Sequence, residues 1–477
     1  MTNLYLSCLG IFLLIFMATL SIAGPIVTIA LLSAILISSL AALQSTSTAS
    51  TRFSYRYTLY FIGLSTLLTI MTSYFMLPNL SDLFQQNNSA IIGKIITLAF
   101  MPLVYQMYYK GILCVQYLFF KEPTLPECSD LDSANMPGCS MLIATRNEPF
   151  DVCKLTFDSA NALIYPDDKK EIIVVDNSDL DHADYLLWKN YVEEHAKNNP
   201  KTSYKFIHRN GTEGFKPKNL DIAMEHISQD HVLLLDADST LKKDTLLKVM
   251  PEFIKDNKLG YASLLIKGTN QECNFFSKIC CISQNMLRYS MNLIGQTGFV
   301  IFQGHNSIWS KKTLEAIGPW LEMHKGEPMI VEDVAAAVRA YFKGFYGKSI
   351  WVESGEWVPT SLRECEAMWM RWTYGNMQIT HKYIGKICRA ATMSFKEKMD
   401  ILNQMFSFSY ILTPIFAILA IIQPHVSAFW LAFMVLTQLP SLLYVIGYSR
   451  HNKPKSVSWI KWVTHLYLAF FCHEHVY

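Results

Sequence analysis

Long apolar runs occupy both ends of this 477-residue chain, and the polar residues are concentrated between them. A helix that crosses a membrane needs roughly 20 predominantly apolar residues. Seven stretches approach that length, at about 3–23, 26–43, 58–77, 90–108, 402–422, 428–447 and 458–474. The pattern therefore predicts an α-helical transmembrane bundle of about seven spans, four of them within 1–120 and three within 401–477.

The basic residues of the loops predict how these spans are oriented. Loops 44–57 and 448–457 carry Lys or Arg, whereas loops 79–90 and 423–427 have neither. Because basic loops stay on the cytosolic side, this bias predicts a cytosolic domain from about 121 to 400. The low charged fraction, 17% against about 25% in soluble chains, agrees with a membrane protein.

The polar middle of the chain has a different pattern, in which short apolar strands alternate with helices. Strands are predicted at 140–144, 171–175, 204–207 and 232–235, with a helix after each of the first three. Continuous apolar strands of this kind form a parallel sheet covered on both faces, and ligands bind at the carboxyl ends of its strands. Acidic residues follow three of these strands, namely Glu148, Asp176, Asp236 and Asp238. We therefore expect an inserted cytosolic α/β domain over 121–362, with a mostly parallel sheet and one acidic crevice.

Composition argues against two features, nucleic-acid binding and a disulfide framework. The formal net charge is only +2, which gives no reason to expect nucleic-acid binding. The 11 cysteines are scattered without metal-ligand spacing, so the sequence predicts a reduced environment without a disulfide framework.

Asp236-Ala237-Asp238 is the most informative motif because it follows the buried strand Val232–Leu235 directly. Two carboxylates one residue apart offer hard oxygen ligands for Mg²⁺ or Mn²⁺, and such an ion can hold a nucleotide diphosphate. A second acidic pair, Glu332-Asp333, lies where a helix is predicted to begin, which would fix the Asp333 carboxylate at a helix N-terminus.

On these motifs, residues 138–385 resemble a family 2 glycosyltransferase with the inverting GT-A fold. The resemblance is to the membrane-integrated group that includes cellulose, hyaluronan and chitin synthases. It implies that Asp333 is the catalytic base and that Asp238 binds the metal ion, Mg²⁺ or Mn²⁺. It implies donor binding by Thr145, Glu148, Asp176, Lys216, Asp236, Arg371 and Trp372. It implies that His305, Glu332 and Trp372 bind the acceptor.

Some of these residues have a structural alternative. His305 could bind an acceptor hydroxyl or a phosphate, or it could simply cap a turn. The amphipathic stretch 274–297 could be an interfacial helix at a channel mouth or a helix packed on the sheet. The stretch 363–400, which contains Arg371-Trp372, is expected to form interfacial helices.

The chain also departs from the resembling synthases. Met368 stands where their Q-x-x-R-W motif has Gln, and Met cannot make the hydrogen bonds of an amide. Gly304-His305-Asn306, in turn, resembles a stretch of the bacterial periplasmic glucan synthases, which implies UDP-glucose as the donor.

The resulting hypothesis is an integral protein of the bacterial inner membrane that elongates a β-linked polysaccharide from a UDP-sugar and passes it through its own spans. Its expected partners are a nucleotide-sugar donor, a growing glycan or lipid acceptor, membrane lipids and an accessory subunit, but no nucleic acid. The alternative enzyme transfers one sugar to a membrane lipid. A third hypothesis is a transporter or scaffold with an inactive domain, in which the acidic groups would have no function.

Overall fold

The computed structural model describes residues 123, 125, 135–296, 298–405 and 444–474. The chain divides into two compact units: Met1–Lys121 with Met399–Ser458, and Glu122–Lys398 with Trp459–Tyr477. The second unit contains the sheet and the acidic motifs. The predicted domain boundaries at 120, 362 and 400 remain predictions.

The second unit is built on an eight-stranded sheet with the strand order β3-β2-β1-β4-β7-β6-β10-β5, accompanied by the two-stranded ribbon β8-β9. The strands are β1 Cys139–Thr145, β2 Lys170–Asp176, β3 Ser203–His208, β4 His231–Asp236, β5 Thr240–Leu241, β6 Leu259–Gly268, β7 Ser307–Ser310, β8 Met323–His324, β9 Glu327–Pro328 and β10 Tyr346–Glu356.

Helices lie between these strands or follow the last of them. They are α1 Phe150–Asn161, α2 Tyr185–Asn198, α3 Phe215–Met224, α4 Thr245–Lys255, α5 Phe275–Gly295, α6 Lys311–Ile317, α7 Glu332–Phe342, α8 Leu362–Arg389, α9 Phe395–Met405 and α10 Trp459–Glu474. The residues 444–452 are also helical.

The central strands are the ones that the apolar runs predicted, because a strand buried on both faces carries apolar side chains at consecutive positions. Every residue of β2 is buried, and so are the four central residues of β4. In the parallel register Thr145 lies opposite Asp176, and Ala144 lies opposite Asp236. The carboxyl ends of β1, β2 and β4 are therefore level, so the polar residues that follow them share one edge of the sheet.

The sheet is mixed, and this corrects the prediction of a mostly parallel one. β7 runs antiparallel to both of its neighbours, β4 and β6, and β5 runs antiparallel to β10. The apolar run 298–302 has no regular secondary structure, and β7 begins after it at Ser307. Phe299, Val300 and Phe302 are buried there, so the run is apolar because it packs in the core.

The predicted bundle of seven transmembrane helices is corrected as well. Among the residues that the structure describes, no helix is both long and apolar enough to cross a membrane. The last predicted span, 458–474, forms α10, whose 16 residues extend about 24 Å, less than the roughly 30 Å of a bilayer core. α10 packs against α5, with the rings of Phe275 and His465 6.4 Å apart. Trp462, Leu466 and Ala469 are buried on this helix, whereas Ile460 and Tyr467 are exposed.

The other six predicted spans lie outside the described residues, apart from 402–405 and 444–447. The same finding on helix length contradicts the predicted localisation as an integral protein of the bacterial inner membrane.

Two helices frame the edge of the sheet that carries the acidic residues. α5 packs on β6 and β10, which agrees with the second of the two readings of 274–297. The side-chain oxygen of Asn285 accepts a hydrogen bond of 2.8 Å from the backbone of Gly268, at the end of β6. α8 is a single helix of 28 residues that contains Arg371-Trp372.

Candidate active site

Asp236, the last residue of β4, forms an ion pair with Lys216 from the first turn of α3. Lys216 also donates a hydrogen bond of 2.9 Å to the carbonyl oxygen of Gly304. Burial alone would raise the pKa of Asp236, but Lys216 and His305 outweigh it and lower the pKa. Asp236 therefore stays ionised and neutralised by protein groups.

Asp238 lies two residues further on, in the turn after β4. Its Oδ2 accepts a hydrogen bond of 3.0 Å from the backbone N–H of Trp357. Burial and the neighbouring Asp236 raise its pKa. Burial, Asp238 and Asp236 also raise the pKa of Glu148 in the loop after β1. These three carboxyl groups thus repel one another electrostatically, which favours a cation among them.

His305 lies between two carboxylates in the loop before β7. Its Nδ1 is 3.4 Å from Asp236 Oδ2, and its Nε2 is 2.9 Å from Glu356 Oε2. Burial acts to lower the pKa of His305, but the charges of Asp236 and Glu356 raise it overall. Both ring nitrogens of the buried His305 side chain thus face carboxylates.

The backbone around His305 is in the left-handed region, with φ of +88° at Gly304 and +48° at Asn306. The Asn306 side chain donates a hydrogen bond of 3.0 Å to the carbonyl oxygen of Gly355, and its backbone N–H donates one of 2.7 Å to the carbonyl oxygen of Leu234. These bonds hold the loop against β4 and β10.

Asp333 is the second residue of α7, so a helix does begin at this motif. The backbone N–H of Val334 donates a hydrogen bond of 2.7 Å to Asp333 Oδ1. A Cβ built on Gly304 would lie 3.1 Å from Asp333 Oδ2, which places that oxygen beside the His305 loop. Burial raises the pKa of Asp333, and burial together with Asp333 raises the pKa of Glu332 to about 7. Lys216 acts electrostatically on both acids, so this pair and Asp236 belong to one site.

Asp176 and Thr145 form a separate cluster at the ends of β2 and β1. Asp176 is 1% exposed, and its Oδ1 accepts hydrogen bonds from Thr145 Oγ1 at 2.8 Å and Ser178 Oγ at 2.7 Å. Its Oδ2 accepts one of 3.0 Å from the Ser178 backbone and lies 3.3 Å from His208 Nδ1. Protein groups thus contact both oxygens of Asp176.

Arg371 and Trp372 differ in their surroundings. The Arg371 side chain is exposed and close enough to Asp236 to help lower the pKa of that carboxyl. Trp372 is partly buried, with its ring 4.9 Å from that of Trp369. Met368 accepts a weak hydrogen bond from the Gln284 amide at 3.4 Å and packs in the same apolar cluster.

The sequence analysis did not identify three residues that contact the predicted site residues or one another: His208, Arg288 and Glu356. Glu356 ends β10, so it carries the signal that marked the other acids, a carboxylate at the end of a buried strand. Arg288 carries a weaker signal, since it is a charge among the buried residues of an amphipathic helix.

Asp238 could hold a divalent ion only together with ligands that the part of the chain described by the structure does not supply, such as phosphate oxygens and water. Within the described residues, no three His, Cys, Asp or Glu side chains are arranged to hold a metal ion. Magnesium sites commonly use one or two carboxylates together with substrate phosphates and water. Among the described residues no basic side chain forms an ion pair with Asp238 as Lys216 does with Asp236, so Asp238 is the carboxylate that fits an ion shared with a diphosphate.

Solved structures support the fold. A mannosyltransferase from Pyrobaculum calidifontis, solved in complex with GDP-Man and Mn²⁺, aligns with a TM-score of 0.50 and 18% identity, over 80% of this chain and 98% of that one. This likeness supports the GT-A fold that the sequence predicted for the α/β domain.

Curated relatives are similar over about 60% of this chain. A probable glucomannan 4-beta-mannosyltransferase 4 from Oryza sativa subsp. japonica is 27% identical over 301 residues, 60% of this chain and 52% of the relative. A poly-beta-1,6-N-acetyl-D-glucosamine synthase from Staphylococcus aureus is 25% identical over 298 residues, 59% of this chain and 65% of the relative. The chain thus spans about half to two thirds of the length of these relatives.

Two family matches cover the site. Residues 140–318 match Glycosyl transferase family 2, and residues 231–471 match Glycosyl transferase family group 2. The second match includes Asp236, Asp238, His305, Asp333 and Arg371 and covers half of the chain. The chain therefore belongs to Glycosyl transferase family group 2.

Proposed function

We propose that this chain is an inverting glycosyltransferase that transfers a sugar from a UDP-sugar to a hydroxyl group of a glycan. The observation that carries the proposal is the position of Gly304 between two functional groups. Its carbonyl oxygen accepts a hydrogen bond from Lys216, and its Cα faces Asp333 Oδ2. Two groups therefore lie on either side of Gly304. One is a carboxylate that can accept a proton, and the other is a lysine that pairs with the D-x-D motif.

Inversion at an anomeric carbon requires a single in-line displacement, for which the acceptor hydroxyl must lose a proton. In the proposed mechanism Asp333 accepts that proton, as a general base at the start of α7. Burial raises the pKa of Asp333, which makes its ionised form a stronger base.

The departing diphosphate requires positive charge. Lys216, which pairs with Asp236, would supply such a charge, and its pKa is raised because the charges of Asp236 and Glu332 outweigh burial. Arg371 would add a guanidinium, a group that binds phosphate oxygens in pairs. A divalent ion held by Asp238 would stabilise the charge of the leaving group further. Thr145, Glu148 and Asp176 would bind the nucleoside end of the donor.

The proposed product is a β-linked polysaccharide, elongated from UDP-glucose. Two relatives are named for polymers, a glucomannan and a poly-β-1,6-N-acetylglucosamine, which supports elongation over a single transfer. In this proposal His305, Glu332 and Trp372 bind the acceptor glycan.

Transfer of one sugar to a lipid is a second candidate, and the environment of Met368 favours it. That side chain packs in an apolar cluster of α5 and α8 and contacts the Gln284 amide. It would therefore offer no hydrogen bond to a terminal sugar of a growing chain.

Nucleotide release by the full-length protein tests the proposal. We would supply Mg²⁺ or Mn²⁺ with UDP-glucose, UDP-N-acetylglucosamine, UDP-glucuronate or GDP-mannose and compare Asp333→Asn with the unmodified protein. Release with a UDP-sugar that is lost in the variant is the expected result. Release only with GDP-mannose would overturn the UDP assignment, and equal release by both proteins would overturn the role of Asp333. Sizing the product then separates a polymer from a singly glycosylated lipid.

A further inference from the structure

A buried ion pair lies beneath the candidate active site. Arg288 of α5 contacts Glu356 at the end of β10, with 2.5 Å between Nη2 and Oε1, and both side chains are at most 7% exposed. Taking two charges out of water is unfavourable, so a buried ion pair is weak evidence of a stabilising role. Arg288 Nη1 is also buried and has no hydrogen-bond partner among the described residues, which adds to the cost. The pair therefore calls for another explanation.

Glu356 connects this pair to the D-x-D motif. Its second oxygen, Oε2, is 2.9 Å from His305 Nε2, and the other ring nitrogen is 3.4 Å from Asp236 Oδ2. A continuous row of contacting polar side chains thus ends in the site: Arg288, Glu356, His305, Asp236 and Lys216. The three inner members, Glu356, His305 and Asp236, each contact a neighbour on both sides.

The end of β10 also contacts the second carboxylate of the motif. Trp357 follows Glu356 directly, and its backbone N–H donates the 3.0 Å hydrogen bond to Asp238 Oδ2. One dipeptide therefore holds Asp238 directly and Asp236 through His305. A shift of Glu356 would move both carboxylates together.

We propose that Arg288 is a positioning residue of the donor site, which acts through Glu356 and His305 to hold Asp236 and Asp238 in the geometry that binds a nucleoside diphosphate. This inference rests on the proposed function. Arg288 itself touches no substrate, because it is buried behind Glu356. It acts by fixing the orientation of one carboxylate, as residues behind a ligand commonly do.

Calorimetric binding of UDP and of GDP, each with Mn²⁺, tests this inference in the full-length protein. Arg288→Met keeps most of the side-chain volume and removes the charge, and we expect at least a tenfold weaker binding of the nucleotide that the unmodified protein prefers. Arg288→Lys should recover part of that loss. The matched control is Lys348→Met, which removes an ion pair with Glu252 from the same strand, near its first residues. The control should bind the nucleotide like the unmodified protein.

A double-variant comparison separates positioning from a purely structural role. If Arg288 acts through His305, then Arg288→Met should weaken binding little further in a protein that already carries His305→Ala. Equal losses in both backgrounds, or no loss in either, would overturn the inference. If Arg288→Met does not fold, Glu356→Gln replaces it, since the amide keeps the shape but loses the charge; unchanged binding would again overturn the inference. If the unmodified protein binds neither nucleotide, the proposed function itself fails, and the inference fails with it.

Discussion

Gly375 of α8 lies directly against Val331, the residue that precedes α7. A Cβ built on Gly375 would come within 2.6 Å of Val331 Cγ2, closer than real atoms approach. The same helix holds the preceding segment through Gln378, which accepts a hydrogen bond of 3.0 Å from the backbone of Ile330. The helix that contains Arg371 thus also contacts the two residues before α7, at whose start Asp333 lies.

This contact predicts opposite outcomes for two glycines of one helix. Gly375→Ala should displace Val331 and lower turnover severalfold, because the start of α7 moves with it. Gly385→Ala meets no atom within 4 Å, so it should only gain helix propensity and stabilise the protein by about 0.5–1 kcal/mol. Urea unfolding and nucleotide release, measured on both variants, check this. Equal turnover in the two variants would show that the contact does not position the base.

Gly304 allows a similar comparison. At φ of +88° an alanine costs about 1–2 kcal/mol in stability, and its Cβ would lie 3.1 Å from Asp333 Oδ2. Gly344→Ala has the same strain, at φ of +82°, with no atom within 4 Å of the new Cβ. Both variants should lose stability to a similar extent, whereas only Gly304→Ala should lose turnover. If Gly344→Ala were equally inactive, the loss would reflect strain alone.

Asp333→Asn should lower turnover by at least ~10²-fold, the lower range for loss of a positioned general base. Asn keeps the shape of the side chain and cannot accept the proton. Asp244→Asn is a suitable control, since Asp244 pairs with Lys248 at the start of α4 and lies outside the site. Steady-state nucleotide release gives the turnover of both variants. Near-normal turnover of the Asp333 variant would contradict the role of Asp333 as general base.

Lys216→Met should weaken donor binding by roughly tenfold or more, because it leaves Asp236 partly buried without its cation. The exposed Lys218, two residues further along α3, is the matched control. Its replacement by Met should leave the KM for the donor unchanged. A Lys216→Met variant with an unchanged KM would remove Lys216 from the donor site.

The Glu332-Asp333 pair predicts a pH dependence. Burial and mutual repulsion raise the pKa of Glu332 to about 7, and burial raises that of Asp333, so the ionised base is lost as the pH falls. We expect kcat/KM to fall as the pH is lowered and Glu332→Gln to move this fall to lower pH. The coupled acids titrate together, so the profile reports the pair. If the pH profile of Glu332→Gln equals that of the unmodified protein, Glu332 does not affect the titration of the base.

The same shift has a consequence for stability. Because the folded protein binds the Glu332 proton more tightly than the unfolded chain does, the free energy of unfolding should decrease as the pH rises from about 4.5 to about 7. Glu332→Gln should remove this part of the decrease and be more stable than the unmodified protein above pH 7. Thermal unfolding across this range measures the difference, and identical curves for the two proteins would contradict the buried position of Glu332.

Local patterns predicted the elements that carry the site. Consecutive apolar residues marked β1, β2 and β4 because those strands are buried on both faces, and Asp176 and Asp236 stood out as charges at the ends of such runs. The start of α7 at Glu332-Asp333 was predicted from the residues around the motif. These features depend on burial over a few neighbouring positions, which the order of residues records directly.

Tertiary structure decided what each charge contacts. Asp236 pairs with Lys216, 20 residues earlier, and Asp238 accepts a hydrogen bond from Trp357, 119 residues later, and no periodicity records such separations. Apolarity was also ambiguous at α10, which packs against α5 although its sequence predicted a membrane span. The sequence by itself thus determined which segments are buried and where acids follow them. The order of the strands in the sheet determined which charges meet, because the energy of a buried charge depends on the groups that surround it in space.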